Sequence, residues 1–136
     1  MVVAKNSYSS DGTSRSYGSR GFVEADADLL EAVRRASLKS GVAVRAVKNG
    51  SHDTVYRAFR PRKSLRIQTA DLETSGVYSI AASLGARAVS ILGVVCGQGD
   101  EDEVVKRYAM DSETIIRMEE SEIRLALEAT CLFPSP

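Results

Sequence analysis

Four groups of residues in this chain have side chains suited to chemistry. The first is Asp71-Leu72-Glu73, two carboxylates flanking one leucine where an irregular basic stretch gives way to an amphipathic pattern. Carboxylates in such a place favour the positive end of a helix dipole. They also accept hydrogen bonds from a ligand's hydroxyls, and residue types alone leave both readings open. The second group is Arg57, Arg60, Arg62, Lys63 and Arg66 around Pro61, either a solvated basic loop or contacts for an anionic or carbonyl-bearing ligand. The third is His52, the only histidine, beside Asp53. A Ser-His-Asp triad needs convergence in space that no spacing here supplies, so His52 reads as a loop residue without a catalytic role. The fourth is Cys96, which ends an apolar run and reads as an inert core thiol. Gly97-Gln98-Gly99 follows that run, but Asp102 stands where a dinucleotide fingerprint needs its third glycine. Asp100, Glu101, Asp102 and Glu103 would repel a pyrophosphate, so the segment reads as a solvated acidic loop.

The elements that must position these groups alternate. Val2-Val3-Ala4 predicts a short strand, and Ser7–Gly21 is polar enough to predict a long loop, with a tight turn at Asp11-Gly12. A helix is expected from Asp26, a good cap, to Gly41, with Leu29, Ala32, Val33 and Ala36 on one face. Val42–Val47 alternates like a strand, and residues 48–68 predict a second long loop. Val77, Ile80, Ala81 and Leu84 recur at helical spacing before Gly85. Ala88–Val95 is nearly all apolar, as expected of a strand covered on both faces. A last helix over Ser112–Ala129 aligns Ile116, Ile123 and Leu127 on one stripe. The alternation predicts an α/β fold, a layered sheet flanked by helices, formed by residues 1–136 as a single unit.

Composition narrows the function classes. Eighteen basic residues balance eighteen acidic ones over 136 residues, which gives no reason to expect a nucleic acid or an anionic membrane as partner. No apolar run approaches the roughly 20 residues that cross a bilayer. The two cysteines, Cys96 and Cys131, have no metal-like spacing, so no metal site is read and a cytoplasmic, reducing setting is expected.

Three blocks, taken together and in order, resemble the nucleoside phosphorylase family, which includes the purine nucleoside and uridine phosphorylases. Asp71-Leu72-Glu73-Thr74-Ser75-Gly76-Val77-Tyr78, running on through Ala81–Ala88, is similar to the family's Glu-Met-Glu, alanine-rich helix, Gly-basic-Ala and buried strand. Val2-Val3-Ala4, Asp11-Gly12-Thr13-Ser14 and Ala25-Asp26 resemble its strand, Asp-Gly-Ala/Thr-Ser loop and Ala-Asp helix start. Ser51-His52-Asp53-Thr54-Val55-Tyr56 is similar to its Ser-Ser-Asp-Thr-Phe-Tyr.

The resemblance implies the C-terminal half of the phosphorylase/hydrolase-like fold. It also implies reversible phosphorolysis of a nucleoside to free base and ribose 1-phosphate, a pentosyltransferase reaction of nucleoside salvage. Glu73 then accepts hydrogen bonds from the ribose hydroxyls, and Leu72 packs on the sugar. Val55, Tyr56, Ala70, Val95 and Cys96 border the base. Purine-specific members carry Ser-Asp where Val95-Cys96 stands here, and a thiol is a poor substitute for that acid, so a uridine-type substrate is preferred. Uridine-type members hold the pyrimidine with Gln and Arg; Phe59 and Pro61 occupy those positions here, leaving Arg60 or Arg62 as base or anion contacts. Phosphate enters as co-substrate, with no cofactor or metal, and a dimer or trimer of dimers is implied. The family's glycine-rich phosphate loop and phosphate-binding arginines lie upstream of anything matching Val2, so the chain is expected to be a fragment or to take that half from elsewhere. Two other readings remain open: an inactive nucleoside-binding relic, and a nucleosidase of the same fold that uses water.

Overall fold

A computed structural model describes residues 1–54, 63–95 and 112–133. Strand β1 spans Val2–Ser10, followed by the short helix α1 (Gly12–Ser16), β2 (Gly21–Glu24) and α2 (Ala27–Ser40). Then come β3 (Arg45–His52), a 3-10 turn at Lys63–Leu65, β4 (Thr69–Asp71), α3 (Thr74–Ser83), β5 (Ser90–Leu92) and α4 (Ser112–Leu132). Among the described residues the strands form one sheet in the order β2-β1-β3-β4. β3 lies parallel to β1, and β4 parallel to β3. The other side of β1 is shared by two antiparallel partners: β5 covers Val2–Ala4 and β2 covers Asn6–Ser9. The α/β layered architecture read from the alternation is therefore the one observed.

Residues alternate across a strand, so Val3 and Val2/Ala4 face opposite sides of the sheet. Val3 joins Ala32, Val33 and Ala36 of α2 and Leu125 and Ala129 of α4 in one buried cluster. On the other face lies α3, whose buried Tyr78 donates its hydroxyl to the Ala4 carbonyl (2.6 Å) and accepts from the Ser90 N–H (2.9 Å). One phenol thereby staples α3 to β1 and β5. Burial raises the Tyr78 pKa above the usual phenol value.

Helix α2 begins and ends where the sequence places it. The Asp26 carboxylate accepts from the Leu29 N–H (2.9 Å), and Gly41, at φ 73°, closes the helix in the left-handed conformation that glycine tolerates. Four other expectations need correction. Residues 7–21 are not one loop: Ser7–Ser10 continue β1, and Gly12 begins α1 with Asp11 as its cap rather than sitting in a turn. The strand expected over 42–47 runs instead from Arg45 to His52, so the first residues of the expected 48–68 loop are sheet. Both strands extend into polar sequence because their buried polar side chains find partners in one another. The apolar run 88–95 yields only the three-residue β5, half-buried, with Val94 and Val95 exposed. On α4, Ile116, Ile123 and Leu127 are exposed, the last two at 62% and 64%. The stripe that meets α2 is two positions along, at Leu125 and Ala129, which pack with Val3 of β1 and Ala32, Val33 and Ala36 of α2.

Candidate functional site

The ends of β1, β3 and β4 and the starts of α1 and α3 meet around a buried polar network. Asp11 is 2% exposed, and Ser7, Ser14, Asn49, Ser51, Thr74 and Ser75 are buried with it. A buried carboxylate is costly unless its lone pairs are filled, and among the described residues they are filled by neutral donors. Asp11 Oδ1 accepts from the Ser14 N–H (2.7 Å), and its Oδ2 from the Ser14 hydroxyl (2.6 Å) and the Ser75 hydroxyl. Burial pushes the Asp11 pKa up, but the bonds from Ser14 and Ser75 outweigh it and leave the pKa below the usual value. At the N-terminus of α1 the Gly12 N–H donates to Asp53 at 3.0 and 3.1 Å, so two aspartates hold the start of one short helix.

The network continues through Ser51. Its hydroxyl accepts from the Ser75 N–H (2.9 Å), lies 3.0 Å from the Ser7 hydroxyl, and donates to Asp71 Oδ1 (2.6 Å). Asn49 donates to Asp71 Oδ1 (2.9 Å) and to Ser7 (3.1 Å), while its own oxygen accepts from the Thr69 hydroxyl (2.9 Å). Thr74 completes the shell of Asp71, its hydroxyl donating to Oδ2 and its N–H to Oδ1 (3.4 Å). Asp71 thus does the capping for α3. The residue at the helix boundary, Glu73, makes no cap bond with its side chain.

Glu73 sits on the outer side of this corner. Its carboxylate is exposed and accepts from the Leu72 N–H at 3.2 Å. Leu72 and Ala70 are exposed beside it. The structure therefore brings Ala70, Leu72 and Glu73 together on one corner, with Asp71 turned inward beneath them. Val95 lies past the end of β5, 42% exposed. Val55, Tyr56, Arg60, Arg62 and Cys96 lie outside the described residues. Two clefts open elsewhere. One of about 400 Å³ runs along α4 between Ile123, Leu127 and Cys131. The other, about 330 Å³, lies between α2, β5 and α4, with Glu122 on its wall. Neither is lined by a residue of the Glu73 corner.

The sequence gives Asp71 no role of its own beside Glu73, to which the resemblance assigns the ribose, and it does not reveal Asn49, Ser51, Ser75 and Asp11 as a unit. The available signal was the concentration of small hydroxyl residues at the ends of strands, where an apolar core would be expected.

Comparisons with known proteins agree with this architecture. No family model matches the chain. The chain is 32% identical over 108 residues to the purine nucleoside phosphorylase DeoD-type 2 of Vibrio cholerae, a match that takes in 76% of this chain and 43% of that protein. It is 30% identical over 108 residues to the protein of the same name from Vibrio parahaemolyticus. The fold matches the uridine phosphorylase of Vibrio fischeri, solved with 6-hydroxy-1-naphthoic acid, at a TM-score of 0.72, 24% identity, and 96% and 55% coverage of the two chains. It matches the purine nucleoside phosphorylase of Toxoplasma gondii, solved with immucillin-H, at 0.74, 18% identity, and 94% and 53% coverage. The chain is nucleoside phosphorylase-like in sequence and fold, and it spans about half the length of the relatives it matches. None of its helices, among the described residues, is long and apolar enough to cross a membrane.

Proposed function

We propose that this chain is the sugar-holding part of a cytoplasmic nucleoside phosphorylase in nucleoside salvage, a pentosyltransferase that works with phosphate as co-substrate and without a cofactor or metal. The reaction breaks the bond between C1′ and the base nitrogen and forms one between C1′ and a phosphate oxygen. Positive charge develops on the ribose, and the departing base takes up a proton. An enzyme gains rate here by holding the sugar where that charge is stabilised. The supporting observation is the division of labour at residues 71–73: Asp71 is committed to the protein, whereas Glu73 is an exposed acceptor on a corner fixed from beneath. A carboxylate only accepts, which suits two vicinal hydroxyls. Leu72 and Ala70 supply the apolar flank of the sugar and base, with Val55, Tyr56, Val95 and Cys96 completing the base pocket and Arg60 or Arg62 contacting the base.

The reading includes a uridine-type base, because Val95 and Cys96 offer no acid to a departing purine. It also includes a homo-oligomer, as a dimer or trimer of dimers. The test is calorimetry of the chain with uridine and inosine, with and without phosphate. Glu73→Ala removes an exposed side chain that caps nothing, so the variant is expected to keep its fold and lose nucleoside binding. Unchanged affinity would discard the sugar-site assignment. Turnover that survives replacement of phosphate by a non-nucleophilic buffer would mark a nucleosidase instead.

A further inference from the structure

The two carboxylates at 71 and 73 are near neighbours in sequence but have opposite capacities. A carboxylate offers about four lone-pair sites. Among the described residues Asp71 receives four donors from the protein: Oδ1 receives Asn49, Ser51 and the Thr74 N–H, and Oδ2 receives the Thr74 hydroxyl. Glu73, among the described residues, receives one, the Leu72 N–H. The bonds from Asp71 to Thr74 also close a loop over Leu72 and Glu73, spanning three residues in the manner of a helix cap. Asn49 and Ser51 then pin that closed loop to β3. The Glu73 backbone, at φ −121° and ψ −33°, is held by a clamp in which its own side chain takes no part.

We infer that Asp71 is a positioning residue whose carboxylate, held by Asn49, Ser51 and Thr74, fixes the corner presenting Glu73, and so sets recognition of the ribose 2′-hydroxyl. This rests on the sugar-site reading of Glu73 and deepens it. If the clamp loosens, Glu73 still carries its charge but samples more directions, and the bond to a 2′-hydroxyl weakens without any loss of the acceptor. A purely structural Asp71 would instead lower stability and leave the discrimination of ribose from deoxyribose untouched.

The experiment is calorimetric titration of the full chain with uridine and 2′-deoxyuridine, and with inosine and 2′-deoxyinosine, so that the choice of base does not decide the outcome. Thermal melting is recorded for each variant. The wild-type chain is expected to prefer the ribonucleoside by about tenfold, the worth of one hydrogen bond to a charged acceptor. Glu73→Ala should lose nucleoside binding, and whatever binding remains at high nucleoside concentration should show no such preference. Asp71→Ala should cut the preference severalfold, while Asp71→Asn, which keeps an oxygen at the Oδ1 position, should restore most of it. A folded Asp71→Ala chain with the wild-type preference would overturn the positioning role even if Glu73→Ala behaves as expected. A wild-type chain with no preference, or a Glu73→Ala chain that keeps it, would overturn the sugar site and this inference together. Should Asp71→Ala fail to fold, Thr74→Val decides: it removes one donor from the clamp and should cut the preference about threefold, and an unchanged preference counts against the role.

Discussion

Asp11→Ala is the substitution that most directly tests the buried network. Asp11 accepts three hydrogen bonds at 2% exposure, and it caps α1 through the Ser14 N–H. Loss of the cap costs about 1 kcal/mol. The Ser75 hydroxyl loses its buried acceptor, and an unsatisfied buried group costs about 1–3 kcal/mol. Ser14 loses less, because its hydroxyl lies 2.8 Å from that of Ser75 and can turn to it. The total, about 3 kcal/mol, is a large share of a domain stability of roughly 5–15 kcal/mol. Urea unfolding should show a lower midpoint with an unchanged slope, since the fold buries the same surface. The pH dependence supplies a second arm. The Asp11 pKa is lower in the folded chain than its ordinary value of 3.8. Its stabilisation is therefore complete above that value and is lost as pH falls through the lower, folded one. The gap between wild type and Asp11→Ala should be constant from neutral pH down to about 4 and shrink below it. A penalty under about 1 kcal/mol, or a gap that widens in acid, would refute the claim that neutral hydroxyl donors hold this carboxylate ionised.

Two further outcomes follow from the packing. Gly76→Ala places a methyl 3.2 Å from Thr13 Cγ2 and 3.7 Å from Asp11 Oδ1; the helix gains about 1 kcal/mol from alanine but crowding against an anchored α1 costs about 1–3 kcal/mol, so a net loss near 1 kcal/mol is expected, and a rise in melting temperature would refute the close approach of α1 and α3. Burial pushes the Glu122 pKa above its ordinary value of 4.5 despite a bond from Gly93, so its contribution favours the fold below that value and is lost as pH rises through the higher, folded one; Glu122→Gln should therefore raise the melting temperature more at pH 7 than at pH 4, and an equal shift at both would contradict the burial.

What the sequence revealed depended on whether one residue or several made the signal. Helix α2 was legible because its cap, apolar face and stop are each written locally, in Asp26, Val33 and Gly41. The Asp71-Leu72-Glu73 corner was legible as a place, because carboxylates before an amphipathic pattern mark a helix start. Its internal division was not. Whether Asp71 or Glu73 turns inward depends on Asn49 and Ser51, some twenty residues upstream on another strand, and no periodicity encodes that contact. The polar halves of β1 and β3 were misread for the same reason. Ser7, Asn49 and Ser51 look like loop residues one at a time and become sheet residues only as partners. On α4 the error was of phase: Ile123 and Leu127 form a true helical stripe, but α2 and β1 receive the neighbouring one.

Among the described residues, serine, threonine and asparagine meet Asp71 where arginine or lysine could stand, and this bears on how the corner works. A cation placed under Asp71 would neutralise it, yet its field would reach Glu73 as well, since charges interact over several ångströms at low dielectric. Hydroxyl and amide donors act over hydrogen-bond distance only. They satisfy Asp71 and leave the charge of Glu73 intact for whatever approaches from outside. Among the described residues the ion pairs that form lie elsewhere, at Glu31–Arg34, Lys39–Glu128, Asp28–Arg87 and Glu113–Arg117. All are surface pairs of the kind worth little to stability. A neutral clamp beneath an exposed acceptor is thus a physical means of fixing the position of a carboxylate without spending its charge, and substituting Ser51 by a cationic residue would be expected to weaken hydroxyl binding at Glu73 even if Asp71 stayed in place.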